Sequence, residues 1–247
     1  MNRLSQAVVM LLLGGSLLKA TLTDVFLRYV KAGLRPFLIV AGVLLVAAAV
    51  MTIWYELRPA RAASPGHDHD HDQDDDGHGH AHHEPRVGWL LLLPVIGLLL
   101  VTPPALGAYS AGQAGSVALQ SGDSNYPPLP PGDPAQVGLL DYASRAVFDG
   151  GKSLTGRTLE MSGFVTKGAD GHLLLARIVL TCCAADGRPI KIGLNGPVPV
   201  DAAPDSWVQV IGTYSPQVGK DPVSKSDVAY LTVKSWQQIE EPKQPYA

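Results

Sequence analysis

The sequence predicts an α-helical membrane region of two to three transmembrane helices, followed by a small all-β barrel domain. Hydrophobic residues make up 46% and charged residues only 17% of the 247 residues, and the apolar residues are concentrated in long runs in the first half of the chain. Such runs are typical of transmembrane helices. The last stretch of about ninety residues instead contains short apolar segments separated by Gly, Pro and Asp, which is the pattern of short strands joined by turns.

Three apolar segments are candidates for crossing a bilayer. The second has no charged residue and ends at Trp54 and Tyr55, which suit the membrane interface, while Trp89 and Tyr109 bracket the third. The first is the weakest, because its uninterrupted apolar stretch, residues 4–18, is short for a span. The predicted spans are residues 4–22, 36–55 and 88–107, all within a membrane region of residues 1–109.

The positive charges give two conflicting indications of topology. No Lys or Arg occurs in residues 87–144, whereas Arg86 precedes the third segment, and the positive-inside rule then places the C-terminal domain outside the cytoplasm. The connection between the first two segments is also basic, with Lys19, Arg28, Lys31 and Arg35. It would prefer the cytoplasm, and three spans cannot satisfy both preferences. We give more weight to the long stretch without positive charge, because the conflict depends on the weakest span, and we predict an extracytoplasmic C-terminal domain.

A segment rich in histidine and aspartate, residues 67–85, lies between the second and third predicted spans. Alternating His and Asp cannot build a core, and neutral imidazoles and carboxylates are ligands for divalent transition metals. The candidate ligands are His67, His69, His71, His78, His80, His82 and His83. We interpret the segment as a place that captures several ions weakly; a plain polar linker and a pH-responsive segment are the alternatives.

The C-terminal domain is predicted to cover residues 137–247, after a linker rich in Pro, Gly and Ser at residues 110–136. An amphipathic pattern at residues 137–151 predicts a short leading helix. The predicted strands cover residues 158–167, 172–183, 190–196, 206–216 and 228–239. Gly163 and Gly212 each lie inside one of these strands, as happens where a barrel strand bends sharply. The pattern favours an OB-like barrel, with a β-sandwich as the alternative.

The composition argues against two classes of function. The formal net charge of −3 gives no basic surface for a nucleic-acid partner. No phosphate-binding loop, GxSxG or HExxH motif occurs, and no set of nucleophile, base and orienting residue stands out, so we do not expect an enzyme.

The only two cysteines of the chain stand side by side, at Cys182 and Cys183. Neighbouring side chains of a regular strand point to opposite faces, but "AADGRP" directly afterwards predicts a turn, which can bring both thiols to one side. Three interpretations stay open. The cysteines are small core residues, or a thiolate metal site with Asp186 and a further ligand from His172 or the histidine-rich segment, or a redox pair.

Four stretches of the chain, "WLLLLPVIGLLLVTPPALGA", "RIVLTCCAADGRPI", "WVQVIGTY" and "EPKQPYA", resemble the bacterial YcgQ-like membrane proteins. That family is assigned to two-component permeases and has a C-terminal domain of unknown function. The resemblance implies a multi-span permease as partner, a bacterial inner-membrane location and a tie to metal homeostasis. Residue by residue, it marks Cys182, Cys183 and Asp186.

These observations predict an accessory subunit of a membrane permease that sits in the lipid bilayer and captures a divalent transition metal, zinc first, or recognises a thiol-reactive solute. A membrane-anchored structural or assembly factor for the permease, which binds no solute, is the first alternative. A redox protein that uses the two adjacent thiols is the second.

Overall fold

The chain divides into two units in the computed structural model, which describes residues 3–58, 96–97, 104–119, 126–168 and 171–247. One unit contains residues 1–23 and 35–103, and the other contains residues 24–34 and 104–247. The histidine-rich segment at residues 67–85 lies outside the described residues, and so does most of the third predicted span at residues 88–107.

The first unit contains two apolar helices that follow one another in the chain, α1 (Arg3–Leu22) and α2 (Arg35–Leu57). They pack closely at two glycines: a Cβ added to Gly14 would lie 3.0 Å from the carbonyl oxygen of Gly42. Most of their large apolar side chains are exposed, which distinguishes them from the core helices of a soluble protein. Both are long and apolar enough to cross a bilayer and are compatible with membrane anchoring, in agreement with the first two predicted spans.

The second unit is built on a closed barrel of five strands, which confirms the predicted OB-like architecture. The unit's elements in chain order are α3 (Ala108–Gln113), β1 (Ala135–Gln136), α4 (Leu139–Phe148), β2 (Leu159–Lys167), β3 (Leu173–Val179), β4 (Arg188–Asn195), β5 (Trp207–Lys220) and β6 (Asp227–Gln238). The barrel strands follow the order β2-β3-β4-β6-β5, and β5 pairs back with β2 to close the barrel. The β4–β6 pair is parallel and the other pairs within the barrel are antiparallel.

The helix α4 packs one face against the barrel core. Leu139, Tyr142, Ala143 and Ala146 are buried there, three or four residues apart, so they lie on one side of the helix. The hydroxyl of Tyr142 donates a hydrogen bond to the carbonyl of Tyr230 in β6. This contact satisfies the one polar atom that the ring carries into the core.

The segment predicted as a linker differs from a simple tether. Its described parts include α3, whose Ala111 is fully buried beside Phe164 and Trp207, and Val117, whose N–H donates to the carbonyl of Pro189 at 2.7 Å. This segment packs because the alanines of α3 form a small apolar face that fits against β2 and β3. This packing could not be predicted from the composition of the segment, because Ala, Gly and Ser are equally common in flexible linkers.

A glycine within β2 allows the barrel to bend. A Cβ added to Gly163 would lie 2.5 Å from the carbonyl oxygen of Ala176 in β3, so the neighbouring backbone would have to move. We expect Gly163→Ala to lower the free energy of unfolding by about 1–3 kcal/mol through overpacking. Chemical denaturation measures the change. Gly138→Ala is the matched control, because no atom lies within 4 Å of the added Cβ there; equal effects of the two substitutions would contradict the close approach.

Candidate metal centre

The turn after β3, residues 181–186, is organised by the carboxylate of Asp186; we call it the dithiol turn. Cys183 precedes a single 3₁₀ turn, Ala184–Asp186, which folds the aspartate back onto the chain. Its two oxygens accept the backbone N–H of Thr181 at 2.9 Å, of Cys182 at 2.8 Å and of Cys183 at 3.4 Å. Asp186 therefore holds the backbone of both cysteines in place.

The dithiol turn brings the two thiols together on one side. The Sγ atoms of Cys182 and Cys183 lie 3.7 Å apart, and both cysteines are free thiols. The thiol of Cys182 also donates a hydrogen bond to Oδ2 of Asp186 at 2.9 Å. Cys182 is exposed, and Cys183 and Asp186 are half-buried, so the pair is not part of the barrel core. The ligand atoms of these three residues all lie within 4.8 Å of one another.

The contact between Cys182 and Asp186 shifts the protonation of both groups. The hydrogen bond to the Asp186 carboxylate raises the pKa of the Cys182 thiol to about 11, because it stabilises the protonated thiol beside a negative charge. The hydrogen bond from the Cys182 thiol, followed by those from the backbone N–H groups, lowers the pKa of Asp186 to about 2. At neutral pH the metal-free turn therefore holds one proton between a sulfur and a carboxylate.

Substitution of the aspartate tests this proton arrangement. We expect Asp186→Asn to lower the pKa of Cys182 from about 11 toward the ordinary value of a cysteine thiol. Alkylation of Cys182 at neutral pH is expected to accelerate by up to about a hundredfold, because the thiolate is the reacting form. Thiolate absorbance as a function of pH and the alkylation rate are the two measurements. Asp201→Asn is an exposed control that should leave both unchanged; a Cys182 pKa that stays near 11 in Asp186→Asn would contradict the assignment.

The connection between α1 and α2 forms one wall of the dithiol turn. Val30 and Cys183 are partners in an antiparallel bridge. The N–H of Lys31 donates to the carbonyl of Cys182 at 3.1 Å. The N–H of Ala184 donates to the carbonyl of Tyr29 at 2.7 Å. These bonds add a short strand to the outer side of the turn and fix the turn's backbone.

A tyrosine far away in the sequence supports the same arrangement. The hydroxyl of Tyr246 donates to the carbonyl of Arg28 at 2.7 Å and accepts the N–H of Leu106 at 3.0 Å. No role at the site was predicted for Tyr246, for Arg28 or for the wall formed by the α1–α2 connection. The sequence does contain one signal for this wall, the two neighbouring apolar residues Phe26 and Leu27 in the short connection. Both are buried in the structure.

Among the described residues, His172 is the other predicted metal ligand, and it does not join this cluster. His172, considered as a further ligand, lies directly before β3, and the seven residues of that strand separate it from the dithiol turn. At about 3.3 Å per residue this corresponds to roughly 20 Å, so His172 cannot share an ion with the cysteines. The seven histidines of the histidine-rich segment lie outside the described residues. Within the described ranges, the one group of three or more candidate ligands is Cys182, Cys183 and Asp186.

The comparison with known proteins concerns the barrel. Residues 146–247 match the model of a protein family described as the DUF1980 C-terminal domain, a domain of unknown function. The matched residues include all five barrel strands and the whole dithiol turn. No curated protein and no solved structure matches the chain. The C-terminal part is thus similar to an uncharacterised family, and the dithiol turn lies within the similar region.

Proposed function

We propose that this chain is a membrane-anchored accessory subunit of a permease and that its dithiol turn captures a divalent transition metal, zinc first. One observation carries the metal part of the proposal. Two thiolates on one tetrahedral zinc ion, with Zn–S bonds of about 2.3 Å, lie about 3.8 Å apart. The two Sγ atoms lie 3.7 Å apart, which is the spacing that a zinc ion needs.

Asp186 supplies the third ligand in this proposal. Carboxylate oxygens bind zinc at about 2.0–2.2 Å, and Oδ2 of Asp186 already points at the sulfur of Cys182. A zinc ion would take the position of the proton between these two atoms. The N–H groups of Thr181 and Cys182 would keep orienting the carboxylate, in the way that outer hydrogen bonds orient metal ligands elsewhere.

The membrane part of the proposal rests on α1, α2 and the sequence. The sequence resembles the YcgQ-like proteins, which implies a permease partner in a bacterial inner membrane. Residues 24–34 belong to the same unit as the barrel, so both would lie on the same side of the membrane. Two crossings between them, by α2 and by the third predicted span, fit that arrangement, and the long stretch without positive charge favours the extracytoplasmic side.

The histidine-rich segment would act separately from the dithiol turn. It follows α2 in the chain, so in this topology it lies on the opposite side of the membrane and cannot share an ion with Cys182 and Cys183. It would collect ions weakly on the cytoplasmic side, since nothing in its sequence fixes a tetrahedral geometry.

The same contacts weigh against Cys182 as a redox nucleophile. A thiol with a pKa of about 11 is ionised to only about one part in ten thousand at pH 7, and the thiolate is the form that attacks a disulfide. No catalytic role is proposed for the pair. A permease assembly factor that binds no solute stays the competing function.

X-ray absorption at the zinc edge tests the metal part directly. The full chain in detergent, and a second form that lacks residues 67–83, would each be loaded with one equivalent of zinc. The shorter form is expected to show about two sulfur neighbours at 2.3 Å, and one sulfur neighbour in Cys182→Ser or Cys183→Ser. A shell of oxygen and nitrogen alone would contradict a dithiol site.

Purification of the tagged chain in mild detergent tests the permease partner. Failure to recover a multi-span permease with the chain would count against its role as a permease subunit.

A further inference from the structure

The dithiol turn offers a metal ion fewer ligands than zinc ordinarily takes. Its candidate ligands are two sulfurs and one carboxylate, and in the part of the chain that the structure describes no fourth Cys, His, Asp or Glu joins them. Structural zinc sites have four protein ligands, whereas sites with three keep a position for an exchangeable ligand. With three candidate ligands, the dithiol turn is of the kind that keeps a position for an exchangeable ligand.

The hydrogen bonds of the Asp186 carboxylate disfavour metal binding through both of its oxygens. Oδ1 of Asp186 accepts the N–H of Thr181 at 2.9 Å, and Oδ2 accepts the N–H of Cys182 at 2.8 Å. A carboxylate that is turned to chelate an ion with both oxygens would give up these bonds. Because they form the turn, Asp186 contributes one bond to the metal.

The carbonyl oxygens of the two cysteines are already engaged in backbone hydrogen bonds. The carbonyl oxygen of Cys182 accepts the N–H of Lys31 at 3.1 Å, and this bond fixes it toward the α1–α2 connection. The carbonyl oxygen of Cys183 accepts the N–H of Asp186 at 3.1 Å. The connection thus pairs with the backbone of the turn, while Cys182 remains exposed.

We propose that the dithiol turn is a hand-over site, in which the open coordination position accepts a thiolate from a partner molecule that delivers or removes the metal. This inference rests on the proposed metal binding. A thiolate is the fitting incoming ligand, because removing an ion from two sulfurs requires a donor of similar softness. Exposed Cys182 is the ligand that an incoming thiol meets first.

The hand-over is a ligand exchange that leaves every oxidation state unchanged. The incoming thiol loses its proton to solvent, its sulfur bonds to the metal, and the coordinated water leaves. The bonds from the metal to Cys182, Cys183 and Asp186 then break in turn, as further donor atoms of the partner or water take their places. Both sulfurs take up a proton from solvent, and the Cys182 thiol again donates a hydrogen bond to the Asp186 carboxylate. Delivery to the turn is the same sequence in reverse.

Cobalt(II) absorption tests this proposal, because thiolate-to-cobalt charge transfer reports coordinated sulfur and is silent for imidazole and carboxylate ligands. The full chain in detergent would be loaded with cobalt and titrated with N-acetylcysteine. The charge-transfer band is expected to rise by about half and to saturate, because three coordinated sulfurs replace two. N-acetylserine, which has a hydroxyl in place of the thiol, is the matched control and should leave the band unchanged; imidazole should shift the visible bands without raising the charge transfer.

A second arm distinguishes the source of the thiolate. A small diffusible thiol raises the band in the titration above, whereas a cysteine of the permease raises it in the co-purified complex without added thiol. A band that responds in neither arm overturns the hand-over site. Cobalt bound without any charge-transfer band, or no bound cobalt, instead contradicts the dithiol metal site itself, so the two failures are distinguishable.

The transfer rate provides an independent readout. Zinc would be passed from the loaded chain to an acceptor thiol, and the initial rate is expected to increase in proportion to the acceptor concentration, because the incoming sulfur binds before Cys182 leaves. A rate that is independent of acceptor concentration would show that the ion dissociates first, and would overturn the proposal.

Discussion

Replacement of both Cys182 and Cys183 by serine is expected to weaken zinc binding to the dithiol turn by more than about a hundredfold, since even the loss of an outer partner of a metal ligand costs about 10–100-fold. The substitution removes the two sulfurs whose 3.7 Å separation suits one ion, and leaves Asp186 as the remaining candidate ligand. A hydroxyl is a far weaker zinc ligand than a thiolate.

Competition with a chromophoric chelator measures this loss, in the form of the chain that lacks residues 67–83. Thiolate binding releases protons, and the empty turn keeps Cys182 protonated up to a pKa of about 11. Affinity should therefore rise with pH, by about tenfold per unit for each proton displaced. Thr181→Ser, one residue before the pair, is the matched control and should bind zinc normally. An unchanged affinity in the double variant would show that zinc binds elsewhere.

The architecture of the barrel was predictable because its signals are local. Each strand is a short apolar stretch that ends in a turn, and glycines inside β2 and β5 mark the bends that favour a barrel over a sandwich. In the structure those two positions, Gly163 and Gly212, face neighbouring backbone so closely that a Cβ would collide with it.

The site was predictable in part for the same reason. The turn signal after Cys183 correctly indicated that both thiols can face one side, and Asp186 accepts a hydrogen bond from the Cys182 thiol. The wall formed by the α1–α2 connection was not predictable. Its bond from Tyr246 to Arg28 joins residues 218 positions apart, and such a contact leaves no periodic pattern in the sequence. His172, in contrast, is close to the cysteines in the sequence but not in space. It belongs to the same predicted strand, yet it lies before the start of β3, whereas the cysteines follow the end of β3.

Lys191→Met is expected to lower the free energy of unfolding of the barrel by about 3 kcal/mol, the low end of what the loss of one partner of a buried ion pair costs. Lys191 and Asp221 are 5% and 1% exposed, and Nζ lies 2.9 Å from Oδ2. Nζ also donates to the carbonyl of Ala114 at 3.0 Å. Methionine has a similar volume but leaves the carboxylate buried without its cation. We expect a loss at the low end of the range because Oδ1 of Asp221 keeps its hydrogen bonds from the N–H groups of Val223 and Ser224.

The chain contains a matched exposed pair. Lys220 and Asp227 approach to 2.7 Å, but their side chains are 65% and 37% exposed. Lys220→Met should therefore cost less than about 1 kcal/mol, because water already solvates both charges. Chemical denaturation followed by tryptophan fluorescence gives both values. Equal losses for the buried and the exposed pair would contradict the role given to Lys191.

The buried pair also predicts how the barrel responds to acid. Burial alone would raise the pKa of Asp221, but the hydrogen bonds from Ser224, Lys191 and Val223 outweigh it and hold the pKa at about 2. An aspartate in the unfolded chain has a pKa of about 3.9. Because the folded value is the lower one, Asp221 stabilises the barrel fully above about pH 4, and this contribution is lost as the pH falls toward 2.

Without the lysine, the folded pKa of Asp221 rises, so the acid unfolding transition of Lys191→Met should begin at a higher pH than that of the unchanged chain. The double variant Lys191→Met/Asp221→Asn removes the uncompensated charge and should recover part of the lost stability, with a weaker dependence on pH between 2 and 4. A double variant that is less stable than Lys191→Met by the full cost of a second independent substitution would show that the two residues do not act as a pair.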